Sequence, residues 1–280
     1  MAFGLLKMFK YPGGQSLMAS RIMEILPEHD TYVEPFVGGG TVFFAKADKM
    51  PARKNILGDT NCRLIRFYDL ASKGGLRKCH RMVNMKQPEA VARARKIIAK
   101  RPTGPYTVCE FLLIQKVSFS GNFSSPHKVS FPRRTDPRAS LFKNVLGRLN
   151  LYEDALKGTT AICGSFDKTM ARYDSPKTLH YLDPPYPETE VKYHGGHVTP
   201  ERVKSVCDRM RGKVIISYNN IPSVTRVFCG PKSKWRCNCS KSKKTIGVES
   251  NGKRQTTEEL LITNFDTRLP NECRIQNRNR

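Results

Sequence analysis

Four consecutive residues, Asp183-Pro184-Pro185-Tyr186, join a carboxylate, two rigid prolines and a phenol directly after the apolar pair Tyr181 and Leu182. The prolines fix φ and remove two backbone donors, so the segment presents carbonyl oxygens and the Asp183 carboxylate as acceptors. Such a site suits an amino group. An exocyclic aromatic amine is a poor nucleophile because its lone pair is delocalised into the ring. Two acceptors on its hydrogens would favour the pyramidal, reactive form, with Tyr186 as a stacking face. Taken alone, the same four residues also describe a proline-rich turn with an aspartate cap and a buried tyrosine.

A second constellation is Glu34-Pro35-Phe36-Val37-Gly38-Gly39-Gly40. Glycines at a strand-to-helix turn let a ligand approach the backbone closely, although any tight turn also uses glycine for positive φ. Asp59 follows at roughly the twenty-residue distance at which a carboxylate can accept both ribose hydroxyls of a nucleoside cofactor. The three features together point to a nucleoside cofactor beside an amine-binding loop. No metal is expected, because the Cys-x-Cys of Cys237 and Cys239, with Cys229, lacks a second pair or a nearby histidine.

The elements that must position these groups follow from periodicity. Ser16–Leu26 carries a helical stripe that ends at Pro27, and Thr31–Phe36 reads as a strand running into the glycines. Thr41–Ala47 is a helix start, Lys54–Leu57 a second strand and Arg63–Leu70 a second helix. This β-α-β-α order favours a parallel sheet. Strand text resumes at Ala161–Cys163, Thr178–Leu182 and Lys213–Ser217, and a last strand is expected at Glu259–Asn264. Ligands in such sheets bind at the carboxyl ends of the strands, where Asp183 stands. Ser217, Tyr218, Asn219 and Asn220 fall at the end of a strand near the expected site, as an ordinary strand-to-loop turn also would.

Between residues 73 and 150 the text changes to a charged helix at Glu89–Arg101 and a loop-like run at Ser118–Arg138. Lys128, Arg133, Arg134, Arg138 and Lys143 alternate there with Phe119, Phe123, Phe131 and Phe142, a mixture suited to phosphates and base faces. The Lys232–Lys244 run is expected to be a flexible basic loop, His194–His197 a mobile lid or solvated turn with Tyr193 beside it placed to reach a base, and the tail Arg274–Arg280 frayed.

The 280 residues carry a formal charge of +25, a field that attracts polyanions and makes nucleic acid the leading partner. No apolar run reaches the roughly eighteen residues of a membrane span, and the start of the chain lacks the features of a signal peptide. A soluble, intracellular protein without a membrane partner is expected. Nine cysteines without a paired framework lead to the expectation of reduced thiols.

Lys10-Tyr11-Pro12-Gly13-Gly14, the Glu34–Gly40 motif, Gly58-Asp59 and Asp183-Pro184-Pro185-Tyr186 together resemble the Dam-like, D12-class adenine-N6 DNA methyltransferases of the alpha arrangement, over nearly the whole chain. The resemblance implies an α/β, Rossmann-like S-adenosylmethionine-dependent methyltransferase sheet with an inserted, mainly helical target-recognition lobe. Residues 1–72 and 151–280 would form the catalytic domain and 73–150 the DNA-binding lobe. It assigns cofactor binding to Tyr11, Gly13, Gln15, Glu34, Phe36, Gly38, Gly40, Asp59, Ser165, Phe166 and Asp183. Catalysis falls to Asp183, Pro184, Pro185 and Tyr186. DNA contact falls to Ser118, Asn122, Lys128, Arg133, Arg134, Arg138 and Lys143.

The substrate implied is an adenine flipped from double-stranded DNA in the cytoplasm. The protein would be monomeric or dimeric, with or without a restriction endonuclease partner. Three departures stand out: Gln15 where the family usually has lysine, Ser165 where many relatives have an acid, and Ser118–Asn122, which matches only loosely. The alternatives are a cytosine-N4 enzyme, whose motif more often begins with serine; an RNA or protein-glutamine methyltransferase, which usually has asparagine at the position of Asp183; and a non-catalytic DNA-binding protein on the same fold.

Overall fold

A computed structural model describes Met8 and residues 16–118, 148–187, 198–248 and 254–276. Seven strands form one sheet: β1 (Thr31–Glu34), β2 (Lys54–Asp59), β3 (Thr160–Cys163), β4 (Thr178–Leu182), β5 (Lys213–Asn219), β6 (Arg236–Val248) and β7 (Arg254–Thr263), in the order β3-β2-β1-β4-β5-β7-β6. The first five are parallel, and β7 runs antiparallel to both β5 and β6. Parallel neighbours need crossover connections. α1 (Ser16–Ile25) precedes β1; the crossovers hold α2 (Thr41–Lys49), α3 (Cys62–Leu70), α4 (Gln87–Lys100), α5 (Val108–Val117), α6 (Leu149–Leu156), α7 (Phe166–Tyr173) and α8 (Pro200–Cys207), and α9 (Pro222–Phe228) lies between β5 and β6.

The central strands β4 and β5 are buried on both faces because helices cover both. Tyr181, Ile215 and Leu261 enter one core, and their neighbours Leu182, Ile216 and Ile262 enter the other. The first core continues without a break into α4 and α5. Phe67 of α3 stacks on Phe111 at 4.7 Å, and Glu153 of α6 accepts from the Arg77 backbone at 3.0 Å and from its Nε at 2.7 Å. The described part of the 73–150 segment is thus helical and shares its core with the sheet.

The chain builds β1, β2 and β3 outward in one direction and then returns to the other side of β1 with β4. The carboxyl ends of β1 and β4 therefore flank a topological switch point, the crevice where open α/β sheets bind ligands. At the opposite edge Asp174 secures the return. Its carboxylate accepts from the backbone N–H groups of Arg211 and Gly212 at 3.0 Å each and lies 3.1 Å from Nε2 of the fully buried His180. Asp174→Ala strands these donors and should cost about 2–4 kcal/mol, measurable as a lowered urea midpoint; a loss below 1 kcal/mol would contradict this account.

Three expectations need correction. The described start of the tail is not frayed, because Ile275 is buried and Asn220 donates to Arg274 O at 2.9 Å and accepts from Gln276 N–H at 3.1 Å. The Lys232–Lys244 run is not a loop throughout, because from Arg236 onward it forms β6, paired with β7 from Arg236↔Thr263 to Lys243↔Thr256. The cysteines are not unpaired either. Disulfides join Cys62–Cys163, Cys79–Cys109, Cys229–Cys237 and Cys239–Cys273, leaving only Cys207 free. The partners are up to 101 residues apart, which spacing along the chain does not reveal. Glu258 lies beside Cys239 and Cys273, but sulfurs joined to each other offer no thiolate to a metal. Among the described residues, no helix is long and apolar enough to cross a membrane.

Candidate active site

The glycine motif turns sharply at the end of β1. The strand stops at Glu34 because Pro35 has no N–H to give the ladder, and Val37 N–H bonds Gly58 O at 2.9 Å instead. Gly38 and Gly40 adopt φ of 44° and 65°. A Cβ on Gly40 would stand 2.8 Å from Tyr68 Oη, so glycine is required there for space as well as for φ. Tyr68 Oη donates to Gly38 O at 3.0 Å. The Asp59 carboxylate is tied to the same turn: it accepts from Gly38 N–H at 3.2 Å and from Asn61 N–H at 2.8 Å.

Gly164, just after β3, donates its N–H to Asp59 O at 3.1 Å, which brings Ser165 and Phe166 to the same edge. Phe166 opens α7 and packs on Phe36 with ring centroids 5.1 Å apart. Backbone amides, a carboxylate oriented by two of them, and an aromatic pair form a donor, acceptor and apolar set that fits an adenosyl group. Glu34 lies beneath this surface. It is 2% exposed, accepts from Tyr32 Oη at 2.7 Å, and burial pushes its carboxyl up to about 8. Lys46 of α2, itself buried, stands 4.6 Å over the Tyr32 ring and donates to Asn55 at 3.0 Å, so Glu34 belongs to a buried polar group that braces the turn.

On the other side of the switch point, β4 delivers the half-buried Asp183. Burial raises its carboxyl to about 7, the charge of Glu259 adds to the rise, and a hydrogen bond donated by Tyr186 opposes it. The Tyr186 ring lies 6.0 Å from Tyr218 of β5, and Tyr181 Oη pairs with Ser217 Oγ at 3.0 Å. Asp183, Pro184, Pro185 and Tyr186 thus stand at the strand edge shared with Phe36, Gly38, Gly40 and Asp59.

Ser118 ends α5 with its hydroxyl on Ile114 O at 2.6 Å. Tyr11, Gly13, Gln15, Asn122, Lys128, Arg133, Arg134, Arg138, Lys143, Tyr193 and His194–His197 lie outside the described residues. Two acids escaped the sequence reading. Glu259 is 3% exposed and acts on both Asp183 and Tyr186; its only trace is a charge entering the apolar run of β7. Asp167 accepts a hydrogen bond from Ser165 that lowers its pKa and has a buried Oδ1 without a hydrogen-bond partner. An acid thus follows the aromatic Phe166 where relatives often have one before it.

A model of the D12 class N6 adenine-specific DNA methyltransferase family matches residues 11–229. The chain belongs to this family. Similar curated proteins include the DNA adenine methylase of Vibrio cholerae, 25% identical over 90% of this chain and 94% of that one. The DNA adenine methylase of Escherichia coli K12 is 24% identical over 90% and 92%. A type II methyltransferase of Methanocaldococcus jannaschii is 26% identical over 63% and 68%. This D12-class methyltransferase therefore acts on DNA adenine at N6, and family membership implies S-adenosylmethionine as the methyl donor. The seven-stranded order with its antiparallel β7 is a Rossmann-like methyltransferase sheet.

Proposed function

We propose that this D12-class enzyme methylates an adenine extruded from double-stranded DNA inside the cell. Asp183 and the Pro184 carbonyl receive the N6 amine, and the Gly38–Asp59 turn with Ser165 and Phe166 receives the cofactor. The observation that carries this reading is the approach of the glycine turn and the Asp183 loop across the β1–β4 switch point. S-adenosylmethionine, when bound, supplies an electrophilic sulfonium methyl.

The chain's own residues do the rest. Asp59 accepts the ribose hydroxyls, Gly38 and Gly40 let the methionine portion lie against the backbone, and Phe36 and Phe166 cover apolar surface. Asp183 and the Pro184 carbonyl accept the two N6 hydrogens and aim the lone pair. The Asp183 charge also stabilises the positive charge that develops on N6. The face of Tyr186 offsets part of the few kcal/mol that base extrusion costs. Most of the acceleration comes from positioning, and no covalent enzyme intermediate is needed.

The duplex meets the same edge. β6 and β7 pass Asn219, the last residue of β5, at the Ser240↔Glu259 pair, so Lys241, Lys243 and Lys244 lie on backbone that extends beyond the sheet on the side of Asp183. With Ser118, Asn122, Lys128, Arg133, Arg134, Arg138 and Lys143 of the insertion, they supply the phosphate contacts. The test is transfer of labelled methyl groups from S-adenosylmethionine to unmethylated duplex DNA of varied sequence, with nucleoside analysis. N6-methyladenine is expected. N4-methylcytosine alone, or no transfer by folded protein, would overturn the reading.

A further inference from the structure

The rim that carries Asp59 and Ser165 also carries two cysteines. Cys62 is the first residue of α3 and Cys163 the last of β3, with Cα atoms 5.0 Å apart and sulfurs joined. Both are exposed, whereas Cys79, Cys109, Cys229, Cys237 and Cys239 are buried, so each of the other three pairs keeps at least one sulfur away from solvent. Cys163 lies directly opposite Asp59 in the β2–β3 register. The next residue, Gly164, donates to Asp59 O, and Asn61, just before Cys62, donates to the Asp59 carboxylate. The bridge thus spans the two turns, at Asp59 and at Ser165–Phe166, to which the proposed function assigns the cofactor.

We propose that Cys62 and Cys163 form a redox-sensitive modification site: a dithiol that a small-molecule disulfide such as oxidised glutathione converts to the bridge. The bridge raises the affinity for the adenosyl cofactor by holding both turns in their binding arrangement. This rests on the cofactor reading above. Thiol reactivity follows exposure and local positive potential, and Cys62 has both, because its place in the first turn of a helix favours the thiolate. The Cys62 thiolate attacks one sulfur of the small disulfide, whose S–S bond breaks and releases one thiolate. The Cys163 thiolate then attacks the Cys62 sulfur and expels the second. Two protein thiols lose two electrons and two protons, which leave with the two small thiols. In the reduced state the turns keep the Gly164 to Asp59 hydrogen bond and the strand ladder but lose the covalent link, so the cofactor must itself supply part of the ordering that the bridge otherwise provides in advance.

The experiment equilibrates the full chain with reduced or oxidised glutathione, counts free thiols at each cysteine by alkylation and mass analysis, and titrates S-adenosylmethionine calorimetrically. Oxidised protein is expected to bind about 3–10-fold more tightly than reduced protein, with Cys62 and Cys163 as the thiols that exchange. Cys62→Ser and Cys163→Ser should each bind like the reduced form and ignore the redox state, and a thermal melt at the titration temperature verifies that each is folded. Equal affinity in every form, or thiols at Cys62 and Cys163 that stay free under excess oxidised glutathione, would overturn the inference alone. Absence of cofactor binding in every form would overturn the cofactor reading and the inference with it.

Discussion

Replacing Asp183 by asparagine is expected to lower kcat by at least about 10²–10³-fold, the loss typical of removing one preorganised electrostatic contact in an active site, while raising the melting temperature at pH 8. The two effects have one cause. The carboxyl is held up to about 7 chiefly by burial and then by the charge of Glu259, above its unfolded value near 4. A carboxyl raised in the folded state binds more protons folded than unfolded, so its contribution to stability is most favourable below the unfolded pKa and is lost as pH rises through the folded one. At pH 8 the fold therefore carries a buried charge at a cost, and asparagine removes that cost while its amide oxygen can still accept from Tyr186. The proposed mechanism needs the charge itself, to stabilise the positive N6, and an amide cannot replace it. A variant that is more stable yet inactive separates a catalytic carboxylate from a structural one. Activity within tenfold of the parent would sink the assignment, and an inactive variant with a lowered melting temperature would mark Asp183 as a support for the loop.

Much of this arrangement was legible in the sequence because its elements follow local rules. Pro27 closes the first helical stripe and Pro35 ends β1. The glycines mark a turn whose φ values at Gly38 and Gly40 other residues rarely adopt. The all-buried β4 reads as a short apolar run, and that run places Asp183 at a strand end. What escaped depends on contacts between distant segments. Lys241 and Lys243 alternate with Ser240 and Ser242, a pattern without an apolar face, and only pairing with β7 makes a strand of it. The disulfide partners Cys62 and Cys163 meet because β3 returns beside β2, although 101 residues separate them in the chain. Lys46 looks like one charge in a surface helix, and its burial against Tyr32 and Asn55 is a property of the packing of α2 on the sheet. Glu259 was hidden for the same reason, since nothing near it in the chain indicates that β7 returns beside β5.

Glu259 leads to the second large effect, on the pH dependence of the reaction. The proposed mechanism uses Asp183 ionised, so kcat/KM for the methyl donor, which reports the enzyme form before that donor binds, should rise with pH through about 7 and fall about tenfold per unit below it. Burial and two neighbouring groups set that midpoint. Burial in the loop after β4 favours the neutral acid, the carboxylate of Glu259 on β7 favours it further by repulsion, and the Tyr186 hydroxyl favours the charged form by donating to it. Removing the Glu259 charge leaves burial and the hydrogen bond, so Glu259→Gln should move the acid limb to lower pH and raise activity at pH 6 relative to the parent. Tyr186→Phe keeps the stacking ring but loses the donated hydrogen bond, so it should move the limb the opposite way, to higher pH. A repulsive carboxylate beside the catalytic one looks wasteful, but it raises the proton affinity of Asp183 and makes it a stronger acceptor for the N6 hydrogens once ionised. Glu259→Gln should therefore lower the plateau rate modestly even as it widens the active pH range. An acid limb unmoved by Glu259→Gln would show that a different group controls ionisation in the site, and a limb that moved upward would reverse the electrostatic account altogether.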